Sequence, residues 1–137
     1  MMRLIVVQRG RLRDAHVLAL RDEFAKRIGR YAKLDLIEHE RGAWPAAARW
    51  KVLLDERGDA LSSSHLAERL ARWTALHGTV AFAIGGADGH HADTIAAADA
   101  RWALGPATLP HHLAHLIVVE QLYRAATIIA GHPYHHA

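Results

Sequence analysis

Val80-Ala81-Phe82-Ala83-Ile84-Gly85-Gly86-Ala87-Asp88-Gly89 is a uniformly apolar run of strand length that passes straight into a glycine-rich loop. A run so short and so apolar reads as a strand buried on both faces, with the glycines as the turn that ends it. Such a loop stands where open α/β sheets bind ligands, outside the carboxyl ends of their strands. Gly-Gly-x-x-Gly lacks the G-x-G-x-x-G dinucleotide spacing and the Lys-Ser/Thr of a P-loop, so neither phosphate fingerprint applies. Taken alone, the loop is simplest as a tight strand-to-helix turn. A second loop changes the balance: Gly105-Pro106-Ala107-Thr108-Leu109-Pro110 combines flexible and rigid positions with small side chains, leaving backbone groups free to hold a flat heterocycle. Two such loops can form one pocket.

Outward from this strand, apolar runs of strand length alternate with segments of helical period. Leu4 to Val7, Leu34 to Ile37 and Val52 to Leu54, the last running into Asp55, read as further strands. Asp14 is placed to cap a helix carrying Val17, Leu20, Phe24 and Ile28 on one stripe until Gly29. Ser64 starts another, turning Leu66, Leu70, Trp73 and Leu76 inward until Gly78. The segment from Ala92 to Arg101 reads as helical, and Leu113 to Ile129 is a nearly all-apolar helix. This alternation predicts an α/β fold with a mainly parallel sheet flanked by helices on both faces.

The 137 residues suit one domain, 1–137, with 51% hydrophobic and 23% charged residues and no stretch polar enough to be a linker. A net charge of +3 permits an anionic partner without demanding one, and twelve histidines can raise it below neutral pH. The absence of cysteine excludes disulfides, thiolate catalysis and cysteine zinc sites. The apolar start, Leu4 to Val7, is too short for a signal peptide or membrane span, so a cytoplasmic address and no membrane partner are expected. At the other end, His132-Pro133-Tyr134-His135-His136 is poor core material. Imidazoles titrate near neutral pH, a phenol stacks or donates, and proline restrains a fraying end, so the tail reads as half of a site.

Five blocks carry a resemblance to a known family: Leu53-Leu54-Asp55-Glu56-Arg57-Gly58, Phe82 to Gly89, Ala107-Thr108-Leu109-Pro110-His111, Glu120-Gln121-Leu122-Tyr123-Arg124-Ala125, and Gly131-His132-Pro133-Tyr134-His135. In that order they resemble the SPOUT-class RNA methyltransferases, specifically the RlmH family, which methylates N3 of a pseudouridine in 23S ribosomal RNA of bacteria. The resemblance covers most of the chain from residue 51 onward, with a looser match before it. It implies a SPOUT-type trefoil-knotted domain whose knot and cofactor region is about 80–137, a homodimer, S-adenosyl-L-methionine as cofactor, and ribosomal RNA within the assembled ribosome as substrate. No metal is expected.

Carried over residue by residue, the resemblance assigns the cofactor to Leu54, Asp55, Gly85, Gly86, Gly105, Pro106, Ala107, Thr108, Leu109 and Pro110. It assigns RNA to Arg124, His132, Tyr134, His135 and His136, with His135, Tyr134 and Arg124 as the catalytic set. Arg124 is equally placed to pair with Glu120 one helical turn earlier. Methyl transfer to an imide nitrogen requires that nitrogen to lose its proton; His135 is one acceptor, and stabilisation of the anion by neighbouring cations with release to solvent is the other. The apolar positions of the last helix surround it, as expected if one face meets the sheet and another a partner subunit.

Two departures stand out. His136 and His115 occupy positions the family often gives to arginine, exchanging permanent cations for titratable ones and predicting weaker RNA binding at alkaline pH. The stretch from His39 to Trp50 replaces a longer segment that carries a helix in the family, and Trp44 and Trp50 are expected to cover the sheet face so exposed. A rival reading keeps the fold without catalysis, as an RNA- or ribosome-binding protein. Another reads His111 with His115, His90-His91 and His135-His136 as metal ligands.

Overall fold

The computed structural model describes residues 1–136. In chain order they form β1 (Met2–Arg9), α1 (Ala15–Ile28), β2 (Ala32–His39), β3 (Trp50–Ala60), α2 (Ser63–His77), β4 (Thr79–Ile84), α3 (Ala92–Ala96), β5 (Ala100–Ala103) and α4 (His111–Ala130). The five strands make one wholly parallel sheet in the order β2-β1-β4-β3-β5.

Alternation within the strands sends side chains to two unequal layers. Leu4, Val6, Val52, Leu54, Val80, Phe82 and Ile84 join Ile28, Leu66, Leu70, Trp73 and Leu122 in the main core beneath α1, α2 and α4. Phe82 meets the fully buried Trp102 edge-on, with ring centroids 5.9 Å apart. Each large apolar side chain buried in this way contributes about 1.5–3 kcal/mol, which is what holds α4 down. By length and composition α4 would also suit a membrane span, but Val118, Val119, Leu122, Ala125 and Ala126 are buried in this core.

The opposite face is thinner. Ile5, Val7 and Ala81 pack with Ala48, Ile37 and Trp44. The loop between β2 and β3 therefore covers this side, and the indole N–H of Trp44 donates to the Thr94 carbonyl of α3 at 2.9 Å. Trp50 does not share that role. It lies in β3, packs against the main core and stacks on His77 at 4.2 Å.

The capping expected at Asp14 forms, its carboxylate accepting from the backbone N–H of His16 and Val17. Ser62, not Ser64, caps α2. Gly29 ends α1 while still right-handed. Leu20 and Leu76, spaced correctly for an inward stripe, lie at its margins and are exposed. The larger correction is the segment Ala92 to Arg101. Only Ala92–Ala96 is helical, and Ala100–Ala103 is a fifth strand. Asp99 sets that strand's register, its backbone N–H donating to the Lys51 carbonyl and its carboxylate accepting from the Lys51 N–H.

Candidate active site

At the carboxyl ends of β3, β4 and β5 lies a cleft of about 680 Å³. Its walls come from three segments distant in sequence: Leu54 to Arg57 of β3, Ile84 to Ala87 with Gly89 and His90 after β4, and Leu104 to His111 between β5 and α4 except Pro106. Nine of the ten positions assigned to the cofactor therefore line one cavity; Pro106 does not. Trp102, Ile95 and Ala114 complete the apolar lining.

The glycine loop is held in shape by the end of β1. Gly86 and Gly89 exchange two 3.0 Å backbone hydrogen bonds, closing a tight turn over Ala87 and Asp88. A side chain at Gly85 would place its Cβ 3.1 Å from the Gly89 backbone, so a larger residue there would push the turn open by a few tenths of an ångström. Gln8, fully buried, donates from Nε2 to the carbonyls of Gly85 (3.1 Å) and Arg9 (3.0 Å), while Arg9 donates to the Gly89 carbonyl at 2.9 Å. With both amide protons of Gln8 committed, its Oε1 accepts from Nδ1 of His115 at 3.1 Å. His115 is thus a neutral core residue tying α4 to β1, its pKa pushed by burial down to about 4. That overturns its expected role as a titratable cation facing RNA, and as a metal ligand beside His111. Among the described residues no group of three potential metal ligands gathers.

Across the cleft, Nε2 of His90 donates to the Leu54 carbonyl at 2.7 Å, since a carbonyl only accepts. Burial lowers the His90 pKa, which favours the neutral ring, and the Leu54 carbonyl sets its tautomer. Asp55 supplies the anion. Its carboxylate accepts the backbone N–H of Arg57 at 3.0 Å and lies 3.1 Å from Arg101 and 3.5 Å from Arg57. The Arg57 N–H, ahead of the two guanidinium charges, holds the Asp55 carboxyl below the ordinary range, so it is ionised at neutral pH.

The tail assembles elsewhere. Arg124 lies 3.1 Å from Glu120, donates to Nδ1 of His135 at 3.1 Å, and sits over the Tyr134 ring at 4.8 Å. Hydrogen bonding to Glu120 raises the Arg124 pKa, and burial raises that of Tyr134. Tyr134 leans on Tyr123 at 4.6 Å, and His132 meets Tyr31 edge-on at 6.2 Å. His136 is exposed. Of the two alternatives for Arg124, the pair with Glu120 forms, and the guanidinium also contacts the tail. None of these residues lines the cleft of the same chain.

The chain matches the family described as "Predicted SPOUT methyltransferase" over residues 2–135. It belongs to the SPOUT methyltransferase family. Among the curated relatives of this SPOUT methyltransferase, the ribosomal RNA large subunit methyltransferase H of Sorangium cellulosum is 43% identical, the alignment covering 98% of this chain and all of that one. The protein of the same name from Thermus thermophilus is 45% identical over 98% of both chains, and that from Anaeromyxobacter dehalogenans is 42% identical over 98% of this chain and 99% of its own.

Reading the sequence of this SPOUT methyltransferase missed Gln8, Arg9 and Trp102 around the cleft, and placed His90 only among possible metal ligands. A buried glutamine in an otherwise apolar strand was the available signal for the first. Nothing local marks the others, whose partners lie far away in sequence.

Proposed function

We propose that the chain transfers a methyl group from S-adenosyl-L-methionine to N3 of a pseudouridine in 23S ribosomal RNA of the assembled bacterial ribosome. In this reading it is a cytoplasmic homodimer of a single trefoil-knotted domain, 1–137, with the knot at about 80–137. The observation that carries the reading is the gathering of the three cofactor-assigned segments around one cleft, in a family of methyltransferases whose relatives are named for ribosomal RNA.

The cleft suits the cofactor. Its volume falls within the range of small-molecule sites, its walls are apolar with few polar groups, and the glycine turn leaves room for backbone approach. Leu54 and Leu109 would flank the adenine, and the backbone of Gly85, Gly86 and Gly105 to Pro110 would meet its edges. The Asp55 carboxylate, partly neutralised by Arg57 and Arg101, would face the cationic end. When bound, the cofactor supplies an electrophilic methyl group on a sulfonium.

The remaining work belongs to the tail. The RNA base must be presented in line and its imide relieved of a proton. Arg124, held by Glu120, brings a permanent cation to stabilise the imide anion. His135 accepts the Arg124 N–H at Nδ1, so taking up a proton there requires that contact to open. We therefore assign charge stabilisation to Arg124 and base stacking to Tyr134, with His132, His135 and His136 contacting RNA and the imide proton leaving to solvent. Support for the homodimer comes from Leu113 and Ile129, exposed on α4, and from the half-buried Leu116 and Ile117 on the same helix.

The test is methyl transfer to bacterial ribosomes lacking the modification, read by nucleoside mass spectrometry. Appearance of 3-methylpseudouridine is the expected result. Cofactor binding with no methylated product would favour a non-catalytic ribosome-binding protein.

A further inference from the structure

A second concavity, of about 480 Å³, lies between the loop joining β2 to β3 and the helix α3. Arg41, Arg49 and Lys51 stand around it, and none of the ion pairs among the described residues engages them. His91 also lines it, and among the described residues the only carboxylate in its lining is that of Asp93, whose side chain is 92% exposed and 3.7 Å from the His91 ring. Trp44 forms one wall.

The groove is built rather than incidental. The Trp44 indole N–H is committed to the Thr94 carbonyl, the Thr94 hydroxyl donates to the Gly42 carbonyl at 3.1 Å, and Ala48 is buried beneath. The loop that carries two of the cations is therefore fixed on the sheet. With its N–H turned inward, the indole offers the groove an apolar wall. Cations without a carboxylate partner beside an aromatic wall are the combination that tracks a sugar-phosphate backbone.

We propose that this groove is a docking site for the phosphate backbone of the ribosomal RNA, with Arg41, Arg49 and Lys51 on phosphates and Trp44 against a ribose or base. It rests on the function proposed above and adds a contact outside the methyl-transfer cleft, whose lining shares α3 with the groove but none of its residues.

The experiment compares wild type with R41A/R49A/K51A and with R30A/K33A/R72A, a variant of equal charge loss at exposed sites elsewhere. The groove variant is expected to raise KM for ribosomes about tenfold or more and to flatten the salt dependence of binding by about 2, from roughly 0.7–0.9 per lost phosphate contact. Its kcat at saturating ribosomes, its affinity for S-adenosyl-L-methionine and its Tm should match wild type, and the control variant should keep the wild-type KM. An unchanged KM and slope, or an equal loss in the control, overturns the proposal. A loss seen with intact particles but not with protein-free large-subunit RNA gives the groove to a ribosomal protein and also overturns it. Should wild type methylate nothing, the functional reading fails separately. Docking is then decided by sedimentation with ribosomes, where weaker binding of the groove variant alone supports it and equal binding overturns it.

Discussion

Gly58→Ala probes how the cleft wall is set. A Cβ at Gly58 would lie 2.6 Å from the Arg101 carbonyl carbon, 2.7 Å from the Trp102 nitrogen and 2.8 Å from the Arg101 oxygen. Carbon atoms in good contact sit about 3.5–4.0 Å apart, so β3 and β5 must separate by roughly 1 Å. All three atoms are backbone, and no side chain can swing away to relieve the clash. Overpacking of this kind costs about 1–3 kcal/mol. With an unfolding entropy of about 2.1 cal/mol/K per residue, a chain of 137 residues should lose about 3–10 °C in Tm. Function should suffer too, because Trp102 pairs with both Leu54 and Asp59 and lines the cleft. Displacing it by 1 Å should weaken binding of S-adenosyl-L-methionine on the order of tenfold to a hundredfold. The assays are thermal unfolding at fixed protein concentration and calorimetric titration with the cofactor. Gly78→Ala is the control: its φ of 84° strains any side chain, but it has open space and lies at the end of α2, so Tm should fall with affinity unchanged. A Gly58→Ala protein with wild-type Tm and wild-type affinity would refute the argument that close approach of β3 and β5 shapes the cleft.

Arg124→Ala should cost no more than about 1 kcal/mol of stability, because its pair with Glu120 is partly solvated, yet should lower methyl transfer by about 10²–10³ with cofactor affinity intact; a parallel loss of cofactor binding would contradict the assignment. Trp44→Ala should destabilise by about 3 kcal/mol through loss of the second-face cover and of the Thr94 contact, measurable by urea unfolding. His115, with a folded pKa of about 4 against about 6.5 when unfolded, lets the unfolded chain bind more protons below pH 6.5, so stability present above that pH is lost as the pH falls towards 4, by about 3 kcal/mol at most. His115→Met should flatten that part of the stability profile, and an unchanged profile would show that another group governs it.

Most of the architecture was legible because each signal was local. The apolar strands, the Asp14 cap and the period of α2 and α4 depend on neighbours a few residues away. The failures share the opposite cause. Ala96-Ala97-Ala98-Asp99-Ala100 has the composition of a helix, yet pairing of Ala100–Ala103 with β3, some fifty residues earlier, overrides that preference. The strand expected over Val52 to Leu54 continues to Ala60, because the register shift between Leu54 and Asp59 absorbs the polar run and Gly58 permits the close approach. His115 was expected to be a titratable cation because it stands where the family often has arginine. Its environment is decided by Gln8, 107 positions away.

The same distinction bears on the site. Within one chain, α4 separates the cofactor-assigned segments from the tail. His111 and Ala114 at its start line the cleft, whereas Arg124 is thirteen residues beyond His111, about 20 Å along the axis at 1.5 Å per residue. The tail then folds back onto Tyr123 and Arg124 of its own helix instead of returning to the cleft. A methyl group cannot cross that distance. For the cleft and Arg124 to serve one reaction, a second chain must bring its tail to the first chain's cleft, and the apolar positions left open on α4 are the surface on which it would sit. In the homodimer proposed above, cleft-deficient and tail-deficient chains mixed together would each supply what the other lacks, and a mixture that restores no methyl transfer would count against it.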